Sequence, residues 1–414
     1  MPFWSASSVS DHMPAQSAAT PGTHADSTRI KISLVTSFPP SRGDLNEYGY
    51  HLARALRDDR RVELVILADE AHLQEEVAGF CVERCWRFNS VFNPVRLLLA
   101  IWKTNPDVVW FNIGFSTFAR RPMAAFLGIT VPALARALGV YTHVTLHAVM
   151  ERTNLRDAGL RLPSLYRAAG RIATHLLLLA DDVSVLLPSL QAELVNRYGS
   201  SAQRVQVHPH GTFEAAPIAR LVKPSQSEHI ILAFGYWGTY KKLELVLEAM
   251  EEIVSKVPDS ILVVAGMNHP STPGYLESLQ KRLLNHDMVR FLGYVAENDL
   301  PSLFASATVM VLPYSSAAGT SGVVHQACQY GLPMVAAEIP EMVEIVQAEG
   351  IAIEFYTQGD SRGLARRVIR LLRSAELRRR MSEQNLFAAQ RMPMSQVAAE
   401  YVRLFQERIP ACKK

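Results

Sequence analysis

The sequence predicts an α/β protein built from two Rossmann-like, doubly wound parallel-sheet domains that face a central crevice. Two observations lead to this fold class. Short apolar runs dense in Val, Ile and Leu alternate with longer helix-like stretches, a pattern that requires a parallel sheet covered on both faces. The alternation runs through the chain twice, with a pause between. A ligand crevice is therefore expected between the carboxyl ends of the two sets of strands.

The first alternation occupies residues 29–213 and predicts an N-terminal Rossmann-like domain. Its predicted strands are rich in branched apolar residues, and they are Ile30–Thr36, Val62–Ala68, Val108–Ile113, Tyr141–His147, Val183–Leu187 and Val205–His208. Asn46–Arg57 has apolar residues at helical spacing and predicts a helix. The apolar stretch Pro122–Ala135 predicts a buried or interfacial helix, because a bilayer-spanning helix needs roughly 20 residues.

The second alternation occupies residues 230–393 and predicts a C-terminal Rossmann-like domain. Its predicted strands are Ile230–Phe234, Ile261–Ala265, Val289–Leu292, Thr308–Leu312, Pro333–Ala337 and Ile351–Glu354, with Leu243–Val254 as the clearest helix. Residues 214–229 contain Pro217 and Pro224 and predict a linker. Residues 394–414 predict a last helix, about Ser395–Arg408, with room to pack back on the first domain.

The composition restricts the classes of partner. A formal net charge of +3 gives no reason to expect a nucleic-acid partner. Residues 1–28 are rich in Ser, Ala, Pro and Thr, lack the pattern of a signal peptide, and predict a disordered tail. The four cysteines have poor spacing for zinc and fit a reducing cytoplasm, so we expect no metal.

Arginine is concentrated in one part of the first half, where carboxylates are few. The arginines are Arg120, Arg121, Arg136, Arg152, Arg156, Arg161, Arg167 and Arg171. Two interpretations fit this pattern: a solvated helical face, or a surface that rests on anionic lipid.

The segment after the strand ending at Leu312 is the most informative for chemistry. A loop of small residues, Ala317–Gly322, leads into a helix predicted over Val323–Tyr330. Free backbone N–H groups and the helix dipole at such a start bind phosphate, and Thr320 and Ser321 can both cap the helix and donate to phosphate oxygens. An ordinary βα turn capped by Ser321 fits the same residues.

Other candidate residues follow strand ends. Lys241 comes after the turn that begins with Gly235 and Tyr236, where it would place a positive charge near the crevice, although most such lysines are simply solvated. The loop Phe38–Asp44 contains Gly43 and should face the crevice from the other side. His147 closes its strand and could either contact substrate or serve structure.

His208 and His210 lie near the linker and are predicted to have a structural or hinge role.

Several enzyme classes are excluded by missing motifs. No G-x-G-x-x-G follows the first strand, and the chain contains no P-loop, no Asp-x-Asp, no G-x-S-x-G and no H-E-x-x-H.

The order of these segments resembles glycosyltransferase family 4, a family of retaining GT-B enzymes. The similarity is strongest in the second half, at Val263–Gly266, Tyr275–Leu276, Val289–Tyr294, Leu303–Phe304, Val311–Tyr314 and Gly331–Pro333. In the first half Gly43, the Thr-Leu-His ending at His147, and Pro209–Gly211 match in kind and position. The resemblance covers roughly residues 29–405 and implies a GT-B fold.

The resemblance also implies roles, with residues 29–213 as the acceptor-side domain and residues 230–393 as the nucleotide-sugar-binding domain. Lys241 would neutralise the donor diphosphate, and His147 would contact the donor sugar near the reacting carbon. The loop and helix start, Gly319, Thr320, Ser321, Gly322 and Val323, would supply donors to phosphate and sugar. Gly43, Tyr236, Gly293 and Tyr294 fall at other donor-binding positions, where Tyr236 replaces a frequent arginine.

The chain departs from the family at its two signature glutamates. Ala318 and Gln326 stand at those positions. Gln326 can still hydrogen-bond the donor ribose, but without charge. A charge-assisted hydrogen bond contributes about 1.5–3 kcal/mol, so the loss of one predicts weaker donor binding rather than none.

The resemblance therefore implies a retaining glycosyltransferase that uses a UDP- or GDP-sugar and a glycan or lipid-linked acceptor. The expected setting is cell-surface polysaccharide synthesis in the cytoplasm, with peripheral contact at the inner face of the plasma membrane. The nucleotide-sugar would be a substrate, and no cofactor is expected. Two alternatives stay open: a non-catalytic GT-B scaffold that binds a sugar nucleotide or a partner enzyme, and a sugar-nucleotide epimerase or phosphorylase-like enzyme.

Overall fold

A computed structural model describes residues 29–41, 43, 45–71, 77–149, 163–213, 229–269, 272–282, 287–317 and 319–412. The predicted tail at 1–28, all but the last residue of the predicted linker at 214–229, and Ala318 lie outside these residues.

The first domain contains a seven-stranded parallel sheet. Its strands are β1 (Ile30–Val35), β2 (Val62–Asp69), β3 (Val82–Trp86), β4 (Val108–Ile113), β5 (Tyr141–Leu146), β6 (Asp182–Val185) and β7 (Val205–Val207). They lie in the order β3-β2-β1-β4-β5-β6-β7. The sequence pattern missed β3, because this edge strand is mostly half-buried and two adjacent charged residues, Glu83 and Arg84, interrupt its apolar run.

The helices of this domain are α1 (Asn46–Arg57), α2 (Asn93–Thr104), α3 (Pro122–Ile129), α4 (Val131–Ala137), α5 (Pro163–Leu177) and α6 (Pro188–Tyr198). Helix α1 begins and ends where the sequence predicts. The stretch Pro122–Ala135, by contrast, forms two helices instead of one. Pro132 lies in the first turn of α4, where a missing N–H costs nothing, but inside one continuous helix it would break the hydrogen-bond ladder.

The second domain contains a six-stranded parallel sheet. Its strands are β8 (His229–Phe234), β9 (Ser260–Ala265), β10 (Val289–Gly293), β11 (Val309–Leu312), β12 (Met334–Ala337) and β13 (Ile353–Tyr356), in the order β10-β9-β8-β11-β12-β13. Its helices are α7 (Leu243–Lys256), α8 (Tyr275–Arg282), α9 (Leu300–Ser306), α10 (Gly322–Gln329), α11 (Pro340–Glu349), α12 (Ser361–Arg373) and α13 (Ala375–Arg391). Strand β13 begins two residues later than predicted.

Both sheets reverse their strand order at a corresponding place, between β1 and β4 in the first and between β8 and β11 in the second. Ligands of doubly wound sheets bind beyond the carboxyl ends of the strands at such a switch point. The loops singled out in the sequence follow β1, β5, β8 and β11. The topology therefore collects them at the carboxyl edges of the two sheets.

The chain returns to the first domain in a last helix, α14 (Met394–Cys412). This helix packs against α1, and its Tyr401 and Phe405 rings lie against Trp110 of β4. At its start, the Thr212 N–H donates to Met392 O, and the Met394 N–H donates to Thr212 O. No helix in the described ranges is long and apolar enough to cross a membrane.

Candidate active site

Lys241 is a buried cation at the carboxyl edge of the second sheet. Its side chain is 7% exposed, and its ammonium lies 4.9 Å from the centre of the Tyr314 ring and 5.9 Å from that of Trp237. Burial lowers the pKa of this ammonium. Among the described residues it has no carboxylate partner, so its charge is available to a bound anion.

The loop after β11 and the start of α10 lie beside Lys241. A Cβ on Gly235 would be 2.8 Å from Lys241 Nζ and 3.4 Å from Val323 Cγ2, so both side chains border this glycine. Ser315 joins the two loops, because its N–H donates to Tyr240 O at 2.7 Å. The structure thus places Lys241 next to the N-terminal turn of α10.

Two hydroxyl residues precede this turn. Ser321 occupies the N-cap position, but its side chain makes no capping hydrogen bond. The Thr320 Oγ1 atom is buried and has no hydrogen-bond partner among the described residues. An unpartnered buried hydroxyl at a helix start, next to an unpaired ammonium, fits a site for phosphate oxygens.

Gly319 brings this loop into contact with the first domain. A Cβ at this position would lie 2.0 Å from His147 O, a separation that no real side chain tolerates. Only glycine therefore permits the loop to lie against the end of β5. His147 and the small-residue loop, which the sequence placed in different domains, are consequently neighbours.

His147 is held as a neutral imidazole. Its Nε2 lies 2.6 Å from Asn112 Oδ1, and the Asn112 amide donates to Thr36 Oγ1, so Asn112 presents its carbonyl oxygen to the ring. Nε2 therefore carries the proton. Burial lowers the pKa of His147 to about 3, and the ring packs edge-on against Tyr48.

Gly43 lies in the loop that leads from β1 into α1. A Cβ there would be 2.5 Å from Ser37 Oγ, and the Gly43 N–H donates to Ser41 Oγ. Asp69 organises the loop by accepting hydrogen bonds from Phe38 N and from the Ser41 hydroxyl. The loop therefore fixes the start of α1, which faces the second domain.

Gln326 contacts that start of α1. Its Nε2 donates to Oε1 of Glu47 at 2.5 Å, although the two residues come from different domains. Burial raises the pKa of Glu47, while the positive field of His51 and the bond from Gln326 oppose the shift. One turn further along α1, His51 lies 3.2 Å from Glu297 of the second domain.

A buried ion pair anchors α10. His325 Nε2 lies 2.8 Å from Glu349 Oε2, and His325 Nδ1 lies 2.8 Å from Ser321 O. Both partners are acceptors, so the ring is protonated on both nitrogens. Burial lowers its pKa, but Glu349 and the two hydrogen bonds outweigh burial and the net pKa is raised. The ring stacks on His210 of the first domain.

Three predicted donor-binding residues are exposed. Tyr236 and Tyr294 lie just beyond the ends of β8 and β10, and Gly293 is the last residue of β10. Strand β9 separates β10 from β8, and the Gly266 N–H that follows β9 donates to Gly293 O. Gly293 and Tyr294 therefore lie two strands away from the strand that leads to Lys241.

Sequence reasoning missed Glu47, Tyr48, Asn112, His325 and Glu349. The available signal for the first was a carboxylate in the first turn of the helix after Gly43. The others carried no local signal, because they act through tertiary contacts. Within the described ranges, no group of three or more His, Cys, Asp or Glu side chains is placed to hold a metal ion.

Comparison with known proteins identifies the second domain. Residues 219–386 match the family model described as glycosyl transferases group 1. Among curated proteins, N-acetyl-alpha-D-glucosaminyl L-malate synthase of Bacillus anthracis is 29% identical over 161 residues, which are 38% of this chain and 40% of that protein. A D-inositol 3-phosphate glycosyltransferase of Streptomyces bingchenggensis is 26% identical over 283 residues, 63% of this chain and 61% of that protein. The chain thus spans less than two thirds of either relative.

Solved structures extend the comparison to both domains. Sucrose-phosphate synthase of Thermosynechococcus elongatus superposes with a TM-score of 0.73 at 18% identity, over 92% of this chain and all of that one. Anabaena HepE in complex with UDP and glucose superposes with a TM-score of 0.67 at 16% identity, over 91% of this chain and all of that one. Residues 219–386 of the second domain therefore match the glycosyl transferases group 1 family, and the two domains together form a GT-B fold.

Proposed function

We propose that this protein is a retaining glycosyltransferase, which moves a sugar from a nucleotide-sugar to a glycan or lipid-linked acceptor. The observation that carries the proposal is the buried ammonium of Lys241, which lies beside the start of α10 and has no carboxylate partner in the part of the chain that the structure describes. A buried cation without a carboxylate is costly unless an anion completes the site. The diphosphate of a UDP- or GDP-sugar supplies that charge.

The proposed chemistry requires no nucleophile from the protein. The bond between the sugar C1 and the diphosphate oxygen breaks while the acceptor hydroxyl forms a new C1–O bond on the same face. The hydroxyl proton passes to the departing diphosphate oxygen. Lys241 and the N–H groups at the start of α10 stabilise the charge that develops on the diphosphate.

His147 positions the donor sugar in this proposal. Its pKa of about 3 keeps the ring neutral at physiological pH, so it offers polar contacts and no proton. The hydrogen bond to Asn112 fixes the ring orientation. A fixed, neutral imidazole at the end of β5 suits contact with a sugar hydroxyl close to the reacting carbon.

The donor base, acceptor and setting are parts of the same proposal. HepE was crystallised with UDP-glucose as well as with UDP, which favours a UDP-sugar over a GDP-sugar. Free cysteines at Cys81, Cys85 and Cys328 fit a reducing cytoplasm. The arginine-rich first domain supports work at the inner face of a membrane, on a lipid-linked intermediate of cell-surface polysaccharide.

One observation favours a second candidate function. Gln326 supplies an amide where the family has a carboxylate, and that amide is already bonded to Glu47. A GT-B scaffold that binds a sugar nucleotide without transferring it fits this arrangement. Epimerases and phosphorylase-like enzymes would use the same phosphate site, and their reaction products distinguish them from a glycosyltransferase.

The experiment is a thermal-shift series with UDP, GDP, ADP and their common sugar conjugates. Wild type should be stabilised by one nucleotide series, and Lys241→Ala should lose that shift. Lys256→Ala is the matched control, because it removes the same charge from an exposed position at the far end of α7. The absence of a shift with every nucleotide would contradict the proposal. Binding without sugar transfer would favour the scaffold.

A further inference from the structure

Exposed apolar side chains are concentrated on one layer of the first domain. Of the seventeen large apolar or aromatic side chains that are exposed in the described ranges, thirteen lie between residues 88 and 179. They belong mainly to α2, α3, α4 and α5, and these helices pack side by side: α2 contacts α3 and α4, and both contact α5. The exposed side chains therefore share one face.

Helix α2 carries the clearest stripe. Its exposed side chains are spaced three, four and three residues apart, from the residue before the helix to its last turn, and they are Phe92, Val95, Leu99 and Trp102. Trp102 is 81% exposed and Phe92 is 68% exposed. The opposite face of the helix packs into the core through Leu97, Ala100 and Ile101, with Asn93 and Thr104 also buried at its two ends. A helix of a soluble domain normally turns a polar face outward, so the outward stripe indicates a partner.

The neighbouring helices continue this surface. Met123 and Phe126 are exposed on α3, Leu134 on α4, and Leu165 and Ile172 on α5. Each of these helices has a buried side that covers the sheet, so the exposed residues are surplus to the core of the domain.

The charged side chains on these helices are all positive. Helices α2, α3, α4 and α5 contain no Asp or Glu. Arg96 and Lys103 of α2 and Arg136 of α4 are paired with Glu70, Glu83 and Asp181 of neighbouring segments, so the positive charge that these carboxylates do not balance lies at the start of α3 and on α5. Arg120 and Arg121 are exposed at the start of α3, and Arg167 and Arg171 are exposed among the apolar residues of α5. Apolar side chains surrounded by arginine complement an anionic lipid surface, where the chains enter the headgroup region and the guanidinium groups meet phosphate.

The position of the arginines relates this face to the crevice. A helix that follows a parallel strand begins at the carboxyl edge of the sheet, which is the edge that borders the crevice. The starts of α2, α3 and α5, with Phe92, Arg120, Arg121 and Leu165, therefore lie toward the crevice.

We infer that the outward face of α2, α3, α4 and α5 docks on an anionic lipid bilayer and holds the crevice at the level of the lipid headgroups. The orientation of the crevice toward the headgroups rests on the proposed function, because it is useful only if the acceptor is linked to a lipid. The lipid contact itself rests on the exposed residues alone.

The test is sedimentation of the full chain with vesicles of phosphatidylcholine, with and without phosphatidylglycerol. The chain should pellet with the anionic vesicles, and added salt should weaken the binding. The pair Leu99→Ser with Trp102→Ser and the pair Arg120→Gln with Arg121→Gln should each weaken binding at least tenfold. All four positions are exposed, so the variants should keep the wild-type melting temperature.

Matched controls come from the second domain. Phe387→Ser removes a ring that is 60% exposed on α13, and Arg366→Gln with Arg370→Gln removes two exposed charges from α12. These variants should bind the vesicles as wild type does. Equal loss in the controls would mean nonspecific adhesion and would overturn the assignment of the surface.

Two further outcomes would also overturn it. One is no binding to either vesicle. The other is a dimer that forms with increasing protein concentration in the absence of lipid and that Trp102→Ser converts to monomer. In that case a second copy of the chain would cover the face. The nucleotide thermal shift of the same variants separates the two proposals. Vesicle binding without any nucleotide shift would support the lipid-docking surface and contradict the proposed transferase. A nucleotide shift without vesicle binding would support the transferase and contradict the lipid-docking surface.

Discussion

Glu47 Oε1 accepts a hydrogen bond of 2.5 Å from Gln326 Nε2, and this contact joins the first turn of α1 to α10 across the two domains. Gln326 is 5% exposed, and Glu47 has a pKa raised by burial. An amide at position 326 donates to the carboxylate opposite. A glutamate at 326 would instead present a second carboxylate to Glu47 at hydrogen-bond distance.

Gln326→Glu is therefore expected to destabilise the protein. A buried carboxylate at position 326 and the half-buried carboxylate of Glu47 would repel at this separation unless one of them takes up a proton. We expect a fall in the melting temperature at pH 8 that diminishes toward pH 5, where one carboxyl is protonated. Differential scanning calorimetry at the two pH values measures it.

The double variant Glu47→Gln with Gln326→Glu exchanges the two groups and should recover most of the loss. Glu47→Gln alone is the control, since two amides can still form one hydrogen bond. A double variant as unstable as Gln326→Glu would show that the contact is not the cause.

Gly319→Ala should open the contact between the small-residue loop and β5. The added Cβ would meet His147 O at 2.0 Å, so the loop or the strand end must move. Overpacking of this kind costs about 1–3 kcal/mol, and a shift of the reacting groups by about 1 Å can lower turnover roughly a hundredfold. Thermal unfolding and sugar-transfer assays measure the two effects.

Gly322→Ala is the matched control in the same loop. A Cβ at this position would meet its nearest atom, His210 Nε2, at 3.5 Å, an ordinary contact. This variant should keep stability close to that of wild type. If Gly319→Ala were equally harmless, the loop would not lie against His147 in solution.

His147 should make the protein sensitive to acid. Its folded pKa is about 3, whereas an unfolded histidine takes up a proton at about pH 6.5. The stabilising contribution of the neutral ring is therefore complete above about pH 6.5 and is lost as the pH falls toward 3, by about 1.4 kcal/mol per pH unit. Urea unfolding of wild type and His147→Gln across this range should show a shallower slope for the variant.

The exposed His175 on α5 supplies the control. His175→Gln should leave the acid slope of wild type unchanged. A slope that is also unchanged in His147→Gln would contradict the buried, neutral state of His147.

The His325–Glu349 pair should have the opposite dependence on pH. Because the folded pKa of His325 is raised, its contribution is complete below about pH 6.5 and is lost as the pH rises through the folded pKa. Glu349→Gln leaves a buried imidazole without its counter-ion, and breaking such a pair costs about 3–5 kcal/mol. Its deficit in unfolding free energy, measured in urea, should be largest in mild acid and smaller in alkali.

The double variant His325→Gln with Glu349→Gln should recover part of this deficit, because no buried charge then lacks a partner. A deficit that did not change with pH would indicate that His325 is neutral. The hydrogen bond to Ser321 O would then have to come from a singly protonated ring.

The sequence by itself determined the architecture and half of the candidate site. Strand and helix periodicity are local properties, so twelve of the thirteen strands in the described ranges, the limits of α1 and the small-residue loop before α10 could be predicted. The missed strand, β3, lies at a sheet edge, and most of its residues are partly exposed. It therefore lacks the continuous apolar run that identifies a buried strand in the sequence. The sequence showed Lys241 as a cation after a strand. It did not show that the side chain is buried or that it lacks a carboxylate partner among the described residues.

Only the tertiary structure decided which residues meet across the crevice and which apolar face remains outside. Glu47 and Gln326 are 279 residues apart in sequence, and their contact depends on how two domains close together. Helix α2 is apolar on both faces, so its periodicity does not indicate which face is buried. Packing against the sheet buries one face and leaves the stripe ending at Trp102 exposed, because a helix can cover a sheet with only one of its sides.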